Sequence, residues 1–531
     1  MSNKTLLLAD NIHITKRNFE SLIEFCEACN IKVIAPKHEK LPINVFGNYE
    51  SLEEHLKIWI EELQKLNKDE LFLYEYKNVN VFKVAKAELM SLICVHPQWK
   101  GSYYGDDLNQ IFERAFEDNN KELILNMAAA IFWIDYWEDE TKRISKIDYV
   151  GIFSGSLIYA RALIEVMKSR RGRVFIMESF FTGQHYYCEE KYEPIANRSD
   201  IRHRTVYNSV KSLLPEERRI YEMKVRQTLQ AIKLMKNKNV VQPESTGDKL
   251  FNNTNKTILI LGQVVNDFSL LEVGQAGISS IAIYRNVIDI ALSQTNLNIV
   301  FKAHPWERKK NNLKSAVTLN YLKSIYAEED RIIFLENYAI NDLFNQSNCV
   351  FCINSQSGIE AAINGFKPIQ CGNAFYGGKG FTTDVNHKKL ELDLPSIISN
   401  SLNWKLNIEE YNHLTDFLVC SLDKWLVKEK GWNSQRLKEI FYEVKPPAKL
   451  PAKPAAKPPS SVQNKAAEVQ QNSELNKKLN SNFFFDLYRK AYSPFVSPQT
   501  RQQLIQDPGG FLKKARKPVS RFGRTVFIKG D

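Results

Sequence analysis

The chain has 531 residues, of which 44% are hydrophobic, and its formal net charge at pH 7 is +11. This length exceeds one ordinary hydrophobic core, so we expect two or three domains, and no apolar run approaches the roughly 18 residues that span a bilayer. Residues 445–531 carry 17 basic and 5 acidic side chains, a net +12, which leaves −1 for residues 1–444. A near-neutral body with a basic tail argues against a nucleic-acid-binding fold.

The amino-terminal sequence MSNKTLLLADNIH has one basic residue, a short apolar run and no small-residue cleavage pattern, so we expect no signal peptide. The eight cysteines include the pairs Cys26/Cys29 and Cys349/Cys352, but no neighbouring His or Cys completes a zinc site at the usual spacing. We therefore interpret the cysteines as reduced thiols of a cytoplasmic protein and predict no metal site.

Strand-like runs and helical patterns alternate through the first half of the chain. The runs are TLLLAD, IKVIAP, DELFLYEY, YVGIFSG and RVFIME, and the clearest helical pattern is SLIYARALIEVMKSR. This alternation predicts an α/β domain with mainly parallel strands over residues 1–245. The segment HYYCEEKYEPIANRSDIRHR reads as a charged loop, and the polar, turn-rich stretch near residues 236–256 as the domain boundary.

A second α/β series follows, with the strand-like runs TILILG, NIVFKAHP, RIIFLEN, CVFCINS and KPIQCG. It predicts a second Rossmann-type domain with closing helices over residues 246–444. Two doubly wound domains imply a cleft between them, with ligands at the carboxyl ends of the strands.

The last part of the chain changes composition. Residues 445–480 contain KPPAKLPAKPAAKPPSS and are predicted to form an extended, semi-rigid linker. Residues 481–531 mix aromatic and basic side chains, as in NFFFDLYRKAYSPF, and are interpreted as an amphipathic tail that binds an anionic membrane surface. The alternatives are a disordered basic tail and a tail that docks a partner enzyme.

Polar residues follow two strands of the second domain. LGQVVNDFS places Gln263 and Asp267 after one strand, and FKAHPW places Lys302 and His304 after another, with Pro305 ending it. Asp267 could act as a nucleophile or base, His304 could interact with the leaving group, and Lys302 supplies a positive charge. Taken singly, a loop Asp is usually a turn former and a His before Pro is usually structural.

A third strand end has the pattern of an anion site. NSQSGIEAAING reads as a strand-to-helix turn closed by Gly365, whose N–H groups and hydroxyls suit a phosphate. Glu360, in the first helical turn, would accept from sugar hydroxyls. The alternative is that the serines only cap the helix and Glu360 is a solvated acid. The turn residues are Asn354, Ser355, Gln356, Ser357 and Gly358.

Four motifs resemble the bacterial capsule-polysaccharide biosynthesis proteins, which include the retaining β-Kdo glycosyltransferases of capsule and lipopolysaccharide O-antigen assembly. They are IMESFFTG, GQVVNDFS, KAHP and NSQSGIEAAINGFKPIQCGNAFYGGKGFTTD, and the resemblance covers roughly residues 147–385. It implies a GT-B-like pair of Rossmann domains that uses CMP-Kdo as donor, with no metal or other cofactor. Residues 1–140 match no family known to us.

The resemblance also implies roles for individual residues. His304 and Pro305 would contact the cytidine monophosphate together with the turn, and Tyr376 of the AFYGGKG string would lie in the same donor site. Asp267 would be the nucleophile of a double displacement and Glu178 the base for the acceptor. Gln263 would orient Asp267 or the sugar.

The chemistry of Kdo transfer agrees with these roles. Departure of CMP leaves an oxocarbenium-like centre, and a retaining route needs a carboxylate opposite the leaving group and a second group that deprotonates the acceptor. Lys302 and Lys379 are weaker candidates for binding the sugar carboxylate, and Glu193 is a second choice of base.

Other functions remain open at this point. A sialyltransferase or a CDP-glycerol phosphotransferase of polymer synthesis would have similar features, as would a non-catalytic scaffold. The expected partners are a CMP-sugar and a glycan acceptor, either free or lipid-linked, and no nucleic-acid partner is expected. We expect a cytoplasmic protein, peripheral at the inner face of the cytoplasmic membrane.

The tail generates a direct test. The full-length protein should co-sediment with phosphatidylglycerol-rich vesicles at low salt, because each basic residue near an anionic surface contributes up to about 1 kcal/mol. A chain that ends near Val444 should stay folded and transfer to soluble acceptor analogues, yet no longer sediment with these vesicles, because it lacks the aromatic cluster at Phe483, Phe484 and Phe485. Neutral phosphatidylcholine vesicles are the control. Failure of the unmodified protein to sediment with the anionic vesicles would leave partner docking as the role of the tail.

Overall fold

The computed structural model describes residues 4–442 apart from 37–46, 48, 196, 215, 235–247, 311–312, 314 and 432–434. The described residues belong to one compact unit, which spans residues 1–444. The predicted linker and tail lie outside the described residues, and the predicted domain boundaries stay predictions.

Fourteen strands occur among the described residues. They are β1 (Lys4–Leu8), β2 (Ile31–Ile34), β3 (Glu75–Tyr76), β4 (Val79–Asn80), β5 (Tyr149–Phe153), β6 (Val174–Ser179), β7 (His185–Glu190), β8 (Thr257–Leu261), β9 (Asn298–Lys302), β10 (Ile332–Leu335), β11 (Cys349–Cys352), β12 (Ile369–Gln370), β13 (Thr383–Asp384) and β14 (Val427–Lys428).

The described α-helices number seventeen. They are α1 (Glu20–Ala28), α2 (Glu53–Leu63), α3 (Lys68–Leu73), α4 (Val81–Ile93), α5 (Leu108–Asp118), α6 (Asn120–Arg143), α7 (Ile158–Ser169), α8 (Arg204–Lys211), α9 (Arg218–Leu234), α10 (Phe268–Leu271), α11 (Ser280–Gln294), α12 (Val317–Ile325), α13 (Ile340–Gln346), α14 (Ser357–Ile363), α15 (Leu390–Ser399), α16 (Ile408–Val419) and α17 (Gln435–Tyr442).

Two six-stranded sheets form the frame of the molecule. The first has the order β14-β7-β6-β5-β1-β2 and the second the order β10-β9-β8-β11-β12-β13. All pairs of the second sheet are parallel, whereas β7 and β14 run antiparallel at one edge of the first. The expected α/β fold, a GT-B-like pair of Rossmann-type domains, is confirmed by this topology.

The central strands of the second sheet are buried along their whole length, as is usual for parallel strands. Every residue of β8, β9 and β11 is buried, because helices cover both faces of the sheet. The largest apolar cluster contains buried residues of the first-domain helices. It also contains residues from the second half of the chain, among them Val265, Ile359, Phe375 and Phe417. Apolar packing therefore continues from one domain into the other.

Two local predictions of secondary structure are wrong. Most of DELFLYEY is α3, because Asn67 and Glu70 form a capping box that starts a helix there, and only Glu75–Tyr76 is a strand. HYYCEE, interpreted as loop, is β7, whose first five residues are buried. Its polar residues are accommodated by specific partners: Trp425 Nε1 donates to Glu189 Oε1 at 2.8 Å.

The carboxyl-terminal segment returns to the first sheet. β14 pairs antiparallel with β7, and α17 packs its buried Leu437, Ile440 and Phe441 on the same sheet. The Phe441 ring lies 4.7 Å from Phe175 and 4.9 Å from Tyr149, between ring centroids. The last helix is thus part of the core of the first domain.

This packing predicts that Phe441→Ala lowers the free energy of unfolding by about 3–5 kcal/mol, since it removes a fully buried ring. The measurement is urea unfolding followed by circular dichroism. Leu402→Ala is the control, because that side chain is 87% exposed and should change stability by less than about 0.5 kcal/mol. Equal effects of the two changes would contradict the docking of α17.

Candidate functional site

A cleft of about 700 Å³ lies between the carboxyl ends of the strands of the two sheets. It brings together most of the residues selected from the sequence. Those that line it are Glu178, Gln263, Asp267, His304, Asn354, Ser355, Gln356, Ser357 and Glu360.

Sheet order explains the convergence on the second-domain side. β8 lies between β9 and β11, and all three are parallel, so the loops that follow them leave the same edge side by side. The chain builds the sheet to one side of β8 through β9 and β10 and then returns to its other side at β11. Such a switch point opens a crevice, the usual ligand site of doubly wound sheets.

A hydrogen-bond network joins two of these loops. Gln263 Nε2 lies 2.8 Å from Asn354 Oδ1, 2.6 Å from Ser269 Oγ and 3.3 Å from Asp267 Oδ2. Asp267 caps α10, with Oδ1 accepting the Ser269 N–H at 2.8 Å. The predicted orienting role of Gln263 toward Asp267 thus has a geometric basis, and both carboxylate oxygens of Asp267 are held.

A buried carboxylate braces the loop that carries Asp267. Glu307 is 1% exposed, and its Oε1 accepts from Val265 N–H at 3.0 Å and Thr318 Oγ at 2.8 Å. Since Glu307 follows His304 closely in the chain, this contact fixes the loop after β8 to the loop after β9.

Glu178 lies near the end of β6 on the first-domain wall of the cleft. Burial, together with the negative charge of Asp267, raises the pKa of Glu178 to about 7. Glu178 therefore exchanges its proton near neutral pH, as a general base should.

His304 is set up as a hydrogen-bond donor. The Trp306 N–H donates to His304 Nδ1 at 3.2 Å, which places the proton of the neutral ring on Nε2. Burial lowers the pKa of His304 to about 4. Of the two roles considered from the sequence, donor or cation, this arrangement favours the donor.

The turn before α14 differs from the expected anion site. The N–H groups of Ser357, Gly358 and Ile359 donate to Ser355 Oγ, Ser355 O and Gln356 O, within the turn itself. The helix has seven residues, so its dipole is small. Gln356 Oε1 accepts the Phe181 N–H at 2.9 Å and so connects the two walls. Burial raises the pKa of Glu360, which also lines the cleft.

Four residues assigned to the donor site do not line the cleft: Lys302, Pro305, Gly358 and Tyr376. The Lys302 ammonium donates to the carbonyls of Ala303 and Glu336, and Tyr376 donates to Ser355 O at 2.6 Å. Tyr376 supports the turn from behind, where a Cβ on Gly358 would come within 2.2 Å of its hydroxyl.

Lys379 and Glu193 also lie away from the cleft lining. The ammonium of Lys379 donates to Arg202 O at 2.8 Å and lies 5.0 Å from the centre of the Tyr207 ring. Neither of the weaker candidates from the sequence therefore faces the cleft.

The structure adds residues that the sequence analysis missed. Lys310 is the one Lys or Arg among the residues that line the cleft in the described part of the chain, and its ammonium donates to Asn266 Oδ1 at 2.7 Å. Burial lowers the pKa of Lys310, whereas the charge of Asp267 acts in the opposite direction. On the other wall, His13, Asn18 and Phe153 come from a part of the sequence with no recognised motif.

Within the described ranges, the side chains form no group of three or more metal-ligating residues, and no helix there is both long and apolar enough to cross a membrane.

Comparison with known proteins identifies part of the chain. Residues 194–396 match the model of the capsule polysaccharide biosynthesis protein family. The matched region is 203 of the chain's 531 residues. It contains Asp267, His304 and the turn before α14, which confirms the resemblance seen in the sequence motifs. No curated protein matches the chain.

Several solved structures are similar to the chain. KpsC of Thermosulfurimonas dismutans, a beta Kdo 2,4 transferase, is 18% identical over 51% of this chain and 87% of its own, with a TM-score of 0.34. A beta Kdo 2,7 transferase, also KpsC of that organism, is 17% identical over 55% and 81%, with a TM-score of 0.33. The UDP-GlcNAc 2-epimerase of Methanocaldococcus jannaschii is 14% identical over 78% and 99%, with a TM-score of 0.28.

The raised pKa of Glu178 predicts how stability depends on pH. The folded state binds the Glu178 proton more tightly than the unfolded state does. The contribution of this group to the free energy of unfolding is therefore fully present below pH 4.5 and is lost as the pH rises through about 7. Glutamine carries no charge. The melting temperature of wild type should therefore fall relative to that of Glu178→Gln between about pH 5 and about pH 8.

The matched control is Glu54→Gln, a change at an exposed glutamate of α2, which should follow wild type throughout this range. In an Asp267→Asn background the divergence should be smaller and should end at lower pH, because one charge that raises the pKa of Glu178 is gone. A Glu178→Gln difference that stays constant with pH would refute the raised pKa.

Proposed function

We propose that the protein is a glycosyltransferase of surface-polysaccharide assembly, which moves Kdo from CMP-Kdo to a glycan acceptor with retention of configuration. The observation that carries the proposal is the convergence of Asp267, His304 and Glu178 in one interdomain cleft. The match of residues 194–396 to the capsule family supports the biological setting.

In the first step of the proposed reaction, an oxygen of Asp267 attacks the anomeric carbon and the bond to the CMP phosphate breaks. The leaving phosphate keeps the bonding electron pair. His304 donates a hydrogen bond to it from Nε2, and Lys310 supplies the positive charge. The Gln263 network restricts Asp267 to one orientation, which favours a nucleophile that must approach from a single face.

In the second step, Glu178 takes the proton of an acceptor hydroxyl while that oxygen displaces Asp267 from the sugar. Two inversions give net retention. Because the pKa of Glu178 is about 7, the ionised form is well populated at neutral pH and the protonated form can return its proton to water. The proposed reaction requires no metal, so chelation with EDTA should leave the rate unchanged.

The donor is proposed to bind along the second-domain wall, with the acceptor entering from the Glu178 side. A lipid-linked acceptor, met at the inner face of the membrane through the basic tail, is part of the same proposal. Melting-temperature shifts with CMP, UDP, CDP and GDP address the donor: CMP should stabilise selectively, whereas selective stabilisation by UDP or GDP would overturn the donor assignment.

The central test is Asp267→Asn, which should abolish transfer while CMP affinity stays close to wild type, since an amide cannot form the glycosyl ester. His304→Ala should weaken CMP binding and slow transfer together. Asp289→Asn, at an exposed aspartate of α11, is the control. Turnover by Asp267→Asn above about one hundredth of wild type, a loss of only about 3 kcal/mol, would refute the nucleophile.

A further inference from the structure

The first sheet has its own switch point, opposite the one that carries Asp267. The chain passes from β1 to β2 on one side and then returns to the other side of β1 at β5. A crevice therefore opens between the carboxyl ends of β1 and β5. His13, Phe153 and Ser154 lie at this point and line the cleft.

His13 is held by a buried carboxylate. Asp10, which follows β1, accepts the N–H groups of Ile12 and His13 at 2.8 and 2.7 Å and the Tyr159 hydroxyl at 2.5 Å. Burial would raise the pKa of Asp10, but the hydrogen bonds from His13 and from Tyr159 lower it to about 2. The carboxylate is therefore ionised at neutral pH.

The ionised carboxylate fixes the orientation of the imidazole. Both oxygens of Asp10 lie 3.2 Å from His13 Nδ1, so this nitrogen carries the proton and donates it. The ring stacks on Phe153 with centroids 4.9 Å apart and planes 3° from parallel. About a quarter of the side chain remains exposed in the cleft.

The charges that line the cleft are unequally distributed. Four carboxylates line it: Glu178, Asp267, Glu360 and Glu429. Lys310, the single described lining Lys or Arg, lies on the second-domain side with Asp267. Lys16 and Arg17 precede Asn18 in the chain, but both are exposed and neither lines the cleft. Among the described lining residues, the wall around His13 thus contains Glu178 and Glu429 without a Lys or Arg.

We propose that this wall is a subsite for an uncharged sugar of the acceptor, in which His13 and Asn18 hydrogen-bond to the sugar hydroxyls. The inference rests on the proposed function, since only a transferase requires an acceptor. An acidic sugar would bring a third carboxylate beside Glu178 and Glu429, and transfer of an unpaired charge from water is costly. An uncharged sugar avoids that cost and presents its hydroxyls to an oriented imidazole.

The probes are matched pairs of p-nitrophenyl glycosides that differ only at C6: β-glucoside with β-glucuronide, and β-galactoside with β-galacturonide. Binding to the full-length protein is titrated in the presence of saturating CMP. We expect at least one neutral glycoside to bind about tenfold more tightly than its acidic counterpart. If in neither pair the neutral glycoside binds more tightly than its acidic partner, or if neither neutral glycoside binds, the subsite is overturned.

Variants assign the subsite to His13. His13→Ala should weaken binding of the neutral glycoside about tenfold and leave CMP affinity unchanged, while His13→Asn, which retains a hydrogen-bonding group, should lose less. His55→Ala, at an exposed histidine of α2, is the control for loss of an imidazole and should bind as wild type does. Glu429→Gln should narrow the preference for the neutral glycoside.

Two failures are distinguishable. If wild type binds no CMP, the proposed function is wrong, and the subsite falls with it. If CMP binds and His13→Ala still binds the neutral glycoside with wild-type affinity, the proposed function stands and the role of His13 is refuted.

Discussion

The burial of Glu178 on one wall of the cleft, facing the charge of Asp267 on the other, is the constraint on which the site depends. The two side chains come from different sheets, and the cleft is buried enough that their charges interact. Hydrogen bonds from Gln263 and from the Ser269 N–H hold Asp267 in place. Burial and the charge of Asp267 together raise the pKa of Glu178 to about 7, so the environment of this carboxyl moves its titration toward neutral pH.

Maintaining that relation requires a cleft whose walls do not drift apart. Glu307 fixes the Asp267 loop to the loop after β9, and Gln356 accepts a hydrogen bond from Phe181 of the opposite wall. Asn197 contributes a further link, since its Oδ1 accepts the Phe375 N–H at 3.0 Å. Because electrostatic interactions fall with distance, each of these contacts also preserves the raised pKa of Glu178.

The sequence was informative where burial imposes a pattern. Fully apolar strands such as TILIL identify a parallel sheet, and parallel strands end at one edge, so the convergence of Asp267, His304 and Asn354 was predictable. The same reasoning applied to ADNIH after the first strand would have found His13. Lys310 had no such signal, because it lies in a loop eight positions after β9 and only the tertiary fold brings it to the cleft. Lys302 ends a strand, yet its ammonium bonds to a carbonyl 34 positions away, a contact that residue type does not reveal.

The return of the chain to the first sheet has a consequence for how this architecture evolves. Without β14, the edge of β7 would present unpaired backbone groups, a surface prone to intermolecular pairing. A fragment that ends at the domain boundary lacks that strand and also lacks α17, whose aromatic residue completes the core beneath β5 and β6. The two domains are therefore not independent modules. Recombination that exchanges one first domain for another must therefore exchange both the segment before the domain boundary and the segment with β14 and α17, so the first-domain wall of the cleft and α17 are inherited together.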